Sequence, residues 1–223
     1  MAKEYTIDLQ LKSDSSSKGT GKIIIDLRET KSLYDFNRID TLLKYGKFNE
    51  CSIYESLMIL VTSKYIEYET EKSFIIDGTD HVEEINNSIN KKLKEEKTFE
   101  ENGISIWSGI SENKSELQIP FHNQIRVIPY DSCRGLEGWS VMCLDLDGFI
   151  KQKRESDQAK LYLADDLFLT EQERKDKYAI TWLLMAFTRP MDTLYLDLRN
   201  SNSAISKKII TICRNLKGIE IIE

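Results

Sequence analysis

Residues 17–22 combine glycines and lysines in a spacing that suggests phosphate binding. The segment reads Ser-Lys-Gly-Thr-Gly-Lys, and phosphate-binding loops use a glycine-rich turn whose backbone amides surround the phosphates before a helix begins. The other requirements fail, because Ser16 stands where the leading glycine belongs and Ile23 stands where a magnesium-binding Ser or Thr is needed. We therefore predict a glycine turn that enters a strand, and no Walker-type triphosphate site in this chain.

The cysteines and histidines do not indicate metal chemistry. They are scattered along the chain, with no CxxC pair and no nearby histidine that would complete a zinc site. The residues concerned are Cys51, Cys133, Cys143, Cys213, His81 and His122. We expect reduced, mostly buried thiols and no bound metal.

Residues 125–141 are a stronger candidate for chemistry, because they read as a strand, a polar turn with glycine, and a second strand. This segment resembles motif V of the UvrD/Rep helicases of superfamily 1, where a strand leads into a His-Ser/Thr-x-Lys-Gly-Leu-Glu-Phe turn. Arg134 stands conservatively for the lysine, whereas Asp131 and the pair Gly138 and Trp139 depart from the pattern. Four positions match outright, namely Ser132, Gly135, Leu136 and Glu137.

Residues 179–196 resemble motif VI of the same family, a helix that ends in Val-Ala-Leu-Thr-Arg-Ala before a strand. Pro190 replaces the last alanine, which is tolerable because the helix is ending there. Residues 57–63 resemble a further strand of the family upstream of motif V. The order and spacing of these three segments make residues 23–198 similar to the second RecA-like lobe of the UvrD/Rep helicases. The motif VI matches are Ala186, Thr188, Arg189, Asp192 and Leu194.

The resemblance implies an ATP site shared with a first RecA-like lobe, in the same longer polypeptide or in a separate subunit. Arg189 is implied to act as an arginine finger that neutralises charge on the γ-phosphate. Glu137, with Gly135 beside it, is implied to accept hydrogen bonds from the ribose hydroxyls. Lys12 is implied to be the counterpart of a further arginine that the family has at the start of this lobe. ATP and Mg²⁺ are then held mainly by the other lobe.

The same resemblance implies contacts with a nucleic-acid strand. Ser132 and Arg134 are implied to donate to phosphate oxygens of single-stranded DNA or RNA. A rival function is a non-catalytic, helicase-derived module that docks a protein or nucleic-acid partner. In that case Arg189 only caps its helix and Glu137 only fixes its own turn. The Asp131 departure and the acidic charge favour this rival, whereas Arg189 and Glu137 favour the motor lobe.

These residues need a scaffold, and the apolar pattern predicts one. Strand-like runs rich in β-branched residues are continuous and not alternating, which indicates strands buried on both faces of a parallel sheet. They occur at residues 23–27, 57–62, 104–107, 125–130, 141–146 and 193–198, with a short run at 219–222. Helices are predicted at residues 31–45, 81–100, 170–187 and 203–216, the third opened by a capping box.

Strands that alternate with helices predict an α/β fold, a RecA-like (P-loop NTPase-like) three-layer sandwich with a mostly parallel sheet and no Walker A loop. We expect residues 1–223 to form a single helicase C-terminal lobe. A helical, charged insertion is predicted at about residues 80–101, and a surface loop at residues 148–160.

Composition narrows the choice of partners. The chain has 223 residues and a formal net charge of -6, so broad counterion release cannot drive its binding to nucleic acid and any contact must be local. No run reaches the roughly 18 apolar residues of a membrane span, and the N-terminus lacks the apolar stretch of a signal peptide. We expect no membrane association and a cytoplasmic location.

Overall fold

The computed structural model describes residues 21–28, 35–76, 82–93, 96–110, 119–166, 168–214, 216 and 218–223. Within them lie nine strands: β1 (Lys22–Asp26), β2 (Leu57–Val61), β3 (Ile66–Ile76), β4 (Val82–Leu93), β5 (Ile106–Ser108), β6 (Ile125–Pro129), β7 (Gly138–Cys143), β8 (Pro190–Asp197) and β9 (Ile219–Ile222). Seven form one sheet, in the order β5-β6-β2-β7-β8-β1-β9, and every neighbouring pair is parallel. All seven strands therefore begin at one edge of the sheet, the amino edge, and end at the opposite carboxyl edge.

Helices cover both faces of this sheet. They are α1 (Phe36–Lys47), α2 (Ile53–Ser56), α3 (Glu96–Glu101), α4 (Leu146–Glu155), α5 (Asp157–Leu161), α6 (Glu171–Phe187) and α7 (Ala204–Arg214). In β2, Met58 and Leu60 pack in the core with residues of α4, α6 and α7. Leu57, Ile59 and Val61 pack in the opposite core with α1 and α3. Both faces of the sheet are thus buried, and the predicted three-layer α/β architecture with a parallel sheet is confirmed, which is consistent with a RecA-like domain.

Helix α6 begins where the capping box predicted. The Thr170 hydroxyl accepts a hydrogen bond from the Glu173 amide at 3.3 Å, and the Glu173 carboxylate accepts one from the Thr170 amide at 2.8 Å. Two amide groups that the first helical turn leaves without partners are satisfied in this way. The helix runs to Phe187, so Arg189 stands between the end of α6 and the first residues of β8. This places Arg189 at the amino edge of the sheet.

The helix predicted at residues 81–100, and with it the helical insertion at 80–101, is wrong. Most of this interval is β4, which pairs antiparallel with β3, and helix forms only at α3. Residues 77–81 and 94–95 lie outside the described part. The pattern of charged residues in this interval favours a helix. The long antiparallel pairing with β3 instead supplies the backbone with hydrogen bonds from another part of the chain. Such pairing overrides the local preference for helix.

The surface loop predicted at residues 148–160 is also wrong, because α4 and α5 fill this interval. Leu146, Phe149 and Ile150 recur at helical spacing and are buried, and the Phe149 ring stacks on Tyr130 with centroids 4.0 Å apart. The charged residues between them concealed this period. Since α4 begins at Leu146, the preceding strand is β7, which starts and ends three residues earlier than the predicted 141–146.

Other boundaries are close to the prediction. Helix α1 covers the described part of the predicted 31–45, while residues 31–34 lie outside the described residues. Helix α7 and strand β9 form as expected at 203–216 and 219–222. Lys22 is the first residue of β1 and follows Gly21, whose φ is 59°, so the end of the glycine-rich segment leads into a strand as predicted.

Candidate functional site

The connection from β6 to β7 carries most of the predicted site residues. Because β2 lies between these two parallel strands, the chain must return from the carboxyl edge to the amino edge within residues 130–137. It does so through a short 3-10 turn (Tyr130–Ser132) and a turn at Gly135, whose φ of 80° favours glycine. Cys133 and Leu136 pack into the core under α4 and α6. The side chains predicted to contact ligands are exposed: Ser132, Arg134 and Glu137.

Arg189 joins this connection to the end of α6. Its Nη1 donates to the Leu136 carbonyl at 3.2 Å, although the two residues are 53 positions apart in the sequence. Its Nε donates to the Met185 carbonyl at 2.9 Å, and its Nη2 donates to the Thr188 hydroxyl at 2.8 Å. The Arg189 carbonyl in turn accepts the Gly138 amide at 3.2 Å. The structure therefore brings the two predicted segments together at the amino edge of β7 and β8.

A second arginine, which no motif in the sequence predicts, donates to the next carbonyl of the same turn. Arg126 lies on β6 and is only 4% exposed, and its Nη2 donates to the Glu137 carbonyl at 2.6 Å. The Tyr54 ring lies under the guanidinium, 4.5 Å from it. Burial lowers the pKa of Arg126, and Tyr54 and Glu55 act in the opposite direction. The available signal was an arginine inside an otherwise apolar strand, a position where arginine is rare unless its polar head has a partner.

Asp131, the main departure from the motif, is neutralised within the chain. Its carboxylate forms an ion pair with Lys153 of α4. The Lys153 ammonium also lies 3.9 Å from the centroid of the Trp182 ring on α6, and its side chain is only 13% exposed. This cation attaches the start of the connection to two helices. Asp131 is therefore not a free negative charge beside Ser132 and Arg134.

Lys12 lies outside the described residues, so its predicted place in the site stays a prediction. The four cysteines are free, and Cys133, Cys143 and Cys213 are buried. Burial raises the pKa of the Cys133 thiol, while Arg189 acts to lower it. In the described part of the chain, no group of three or more His, Cys, Asp or Glu side chains is arranged to hold a metal ion.

A separate group of charged residues occupies the carboxyl edge. Asp26, at the end of β1, is fully buried and interacts with Arg28, Arg38 and the Tyr195 hydroxyl. Burial alone would raise the pKa of Asp26, but the hydrogen bonds from Arg28 and Tyr195 lower it below its ordinary value. Asp197, at the end of β8, accepts hydrogen bonds from Arg199 and from the Asp145 amide.

Asp145 and Asp147 extend this carboxyl-edge network into the loop that follows β7. Asp145 has a left-handed backbone, with φ of 52°, and forms an ion pair with Lys64. The Asp147 carboxylate accepts the amides of Arg199 and Asn200, at 2.9 and 3.0 Å. Burial raises the pKa of Asp145. Since these carboxylates bind cations and amides of the chain itself, the network joins the loops at the carboxyl edge.

An open cleft of about 320 Å³ lies beside the network, between α1 and β9. Arg28, Asp35, Arg38 and Glu220 are the charged residues of its lining. Two of these residues are cationic and two are anionic, and Asp35 pairs with both arginines. The cleft therefore has no net charge that would select an anionic or a cationic ligand.

No helix in the described ranges is long and apolar enough to cross a bilayer. No family model matches the chain, and no curated protein matches it. Among solved structures, the chain is similar to the C-terminal domain of a possible DNA helicase from Lactobacillus plantarum WCFS1, with a TM-score of 0.45 and 12% sequence identity. The match covers 92% of this chain and 87% of that one. A likeness of this degree concerns the path of the chain and bears on neither the site residues nor a reaction.

Proposed function

We propose that this chain is the second RecA-like lobe of an ATP-dependent, UvrD/Rep-like superfamily 1 helicase, in which it supplies an arginine to an ATP site held mainly by a first lobe. The observation that carries the proposal is the junction of Arg189 with the Leu136–Glu137 turn at the amino edge. Residues from two separate motifs thereby form one surface, with a cation and a carboxylate on it. This chain and a phosphate-binding RecA-like lobe together form the two-lobe motor.

Arg189 suits a transition-state role because its charge is not already used. Each of its three hydrogen bonds ends on a neutral oxygen, from Met185, Leu136 or Thr188. Within the described residues, it forms no ion pair with a carboxylate. A guanidinium held in place by neutral acceptors keeps its full positive charge for an anion that approaches from a facing lobe. The γ-phosphate of ATP, with Mg²⁺ held by the first lobe, is that anion in our proposal.

The exposed residues of the connection complete the proposed surface. Glu137 offers its carboxylate to the ribose hydroxyls, and Gly135 leaves room for close approach of a ligand to the backbone. Ser132 and Arg134 lie further back along the connection and would donate to the phosphates of a single strand. Such contacts hold a strand without reading its bases, so they serve single-stranded DNA and RNA alike.

One observation favours the second candidate, a docking module without catalysis. The Arg189 guanidinium already has three hydrogen bonds inside the chain, which suffices to explain its presence as a link between α6 and the turn. The two candidates differ in what happens when the arginine is removed. A docking module loses only stability, whereas a motor lobe also loses turnover in the assembled motor.

The isolated chain is expected to show no ATPase activity above background. It has no Walker A loop, and no described group of side chains is arranged to hold the magnesium that accompanies a triphosphate. Phosphate release should be measured with and without single-stranded DNA, with a known helicase as the positive control. Release by this chain alone that single-stranded DNA stimulates would contradict the proposal.

Single strands are expected to bind the isolated chain weakly. The net charge of -6 gives little counterion release, and Arg134 is the one cation that we propose to contact the phosphates. We expect dissociation constants of about 10⁻⁴–10⁻⁶ M, in the range of non-specific binding, which rise with salt. Fluorescence anisotropy with labelled oligonucleotides at several salt concentrations measures this. A submicromolar constant that does not change with salt would favour the docking module.

A further inference from the structure

Two arginines hold consecutive carbonyls of the turn that leads into β7. Arg189 donates to the Leu136 carbonyl, and Arg126 donates to the Glu137 carbonyl. The first arginine follows the end of α6 and the second lies near the start of β6, so the turn is held from two sides. Only Arg189 belongs to a motif, and nothing in the proposed function requires an arginine at position 126.

The burial of the Arg126 guanidinium is energetically unfavourable. Its side chain is 4% exposed, and its Nε is buried without a hydrogen-bond partner. In the described part of the chain no carboxylate lies within ion-pair distance of it. A buried guanidinium that lacks a carboxylate partner lowers stability, and apolar residues fill such strand positions at no such cost. The presence of Arg126 therefore has to be explained by its geometry and not by a contribution to stability.

The neighbouring residues are arranged around this guanidinium. The Tyr54 ring supports it at 4.5 Å, and that ring is itself held edge-to-face against Trp107 with centroids 6.2 Å apart. A side chain at position 138 would be crowded. A Cβ there would lie 3.2 Å from the Arg126 Nη2, 3.2 Å from the Ser140 carbonyl oxygen and 3.3 Å from the Met58 Cβ. The chain thus leaves space for Arg126 directly behind the Glu137 carbonyl.

We infer that Arg126 is a positioning residue that fixes the Glu137 peptide and so aims the Glu137 carboxylate at the ribose of ATP. The inference rests on the proposed function for the role of Glu137 and adds to it the group that orients this residue. Arg126 touches no nucleotide in this scheme, because it acts through the carbonyl of the residue that does. Its charge makes the hydrogen bond stronger than a neutral donor would, which keeps a turn on the protein surface in one conformation.

The test compares ATP with 2′,3′-dideoxy-ATP as substrates of the two-lobe motor. If Glu137 binds the ribose hydroxyls, the motor has a lower KM for ATP than for 2′,3′-dideoxy-ATP. Glu137→Gln should then reduce this preference, measured as the ratio of the two KM values, by about ten- to hundredfold. We expect Arg126→Gln to reduce the preference to a similar extent while kcat for ATP stays near that of the unchanged motor. Gly138→Ala should change the preference in the same direction but by less, because its methyl group pushes the neighbouring guanidinium away by only a few tenths of an ångström.

Arg154→Gln is the matched control. Arg154 is an arginine with a 32% exposed side chain, which is bound to Asp176 between α4 and α6, and it has no hydrogen bond to the turn among the described residues. The control should leave the ratio of the two KM values unchanged. A general loss of stability would affect both nucleotides equally, so a change in the ratio separates positioning from folding. If Arg126→Gln does not fold, Gly138→Ala carries the test.

The Glu137 and Arg126 variants test the proposed role of Glu137 and the positioning role of Arg126 separately. If Glu137→Gln leaves the preference for ATP unchanged in an active motor, then the proposed role of Glu137 is wrong. If Glu137→Gln abolishes the preference while Arg126→Gln and Gly138→Ala keep it, the positioning role of Arg126 alone is wrong. Amide hydrogen exchange of the isolated chain gives a readout without nucleotide, in which Arg126→Gln should speed exchange at Gly138 by about tenfold or more.

Discussion

Replacing Arg189 with alanine is expected to lower ATP turnover of the two-lobe motor by about 10³-fold or more, while nucleotide affinity changes only modestly. A guanidinium that meets the transferring phosphoryl group acts more strongly in the transition state than in the ground state. Unwinding should fall with turnover. Arg189→Lys should not restore activity, because lysine presents a point charge where the structure uses three nitrogens of a planar group. Steady-state phosphate release and nucleotide binding measure the two effects separately.

The control for this experiment is Arg214→Ala. Arg214 is an exposed arginine near the end of α7 and faces Glu223 at the surface, so its loss should leave turnover near that of the unchanged motor. Arg199 would be a poor control, because it binds the buried Asp197. Since Arg189→Ala removes three hydrogen bonds, urea unfolding must show that the variant chain is folded. Full turnover by a folded Arg189→Ala motor would make the docking module the better account.

Replacing Asp26 with alanine is expected to lower the free energy of unfolding of the chain by about 3–5 kcal/mol. The carboxylate is fully buried and interacts with Arg28, Arg38 and the Tyr195 hydroxyl. Without it, Arg38 is a buried cation that keeps, among the described residues, Asp35 alone as a carboxylate partner, and removing one member of a buried charge network costs about this much. Equilibrium urea unfolding at neutral pH measures the change from the shift in midpoint, provided that the slope is unchanged.

The matched control is Asp40→Ala on α1. Asp40 pairs with Lys44, and both side chains are more than half exposed, so this change should cost less than about 1 kcal/mol. If the two variants unfold at the same urea concentration, the buried network does not stabilise the carboxyl edge. Asp26→Asn should fall between them, because the amide keeps the shape and one acceptor but loses the charge.

The loss of stability caused by Asp26→Ala is also expected to depend on pH. The folded pKa of Asp26 is lowered from its ordinary value of 3.8, so the stability that it contributes is present above that value and is lost as the pH falls through the folded pKa. The difference between the unchanged chain and Asp26→Ala should therefore shrink below about pH 4. Burial raises the pKa of Asp197, and its contribution has the opposite sign. Comparing the two chains at each pH cancels this contribution.

The central sheet could be predicted because its strands are continuous apolar runs. β2, with all five residues buried, is the clearest example, and such a run has few alternatives to a strand covered on both faces. The β3–β4 pair could not be predicted in the same way. Its backbone hydrogen bonds join two separate segments of the chain, and the charged residues of 82–93 satisfy local helix rules equally well. The order of the strands also depends on contacts that no local pattern contains.

Single residues of the candidate site could be predicted from the sequence, but the contacts between them could not. Arg189 and Glu137 were found through motif positions, and the structure adds that their segments meet through the Leu136 carbonyl. The role of Arg126 could not be predicted, because a lone arginine in a strand indicates a buried hydrogen-bond partner but does not identify it. Asp26 and Asp197 each follow an apolar strand, but only the parallel order of β8 and β1 shows that they lie side by side. Partners distant in the sequence are set by tertiary structure.

The most direct test of the proposal is phosphate release by the phosphate-binding lobe with and without this chain. ATP turnover, measured with single-stranded DNA present, should rise by about 10³-fold or more when the unchanged chain is added or tethered, since it supplies the missing cation. The Arg189→Ala chain should produce no such rise, although it binds the same lobe. If the unchanged chain binds the lobe but leaves its turnover at the basal rate, the chain is not the second lobe of a motor.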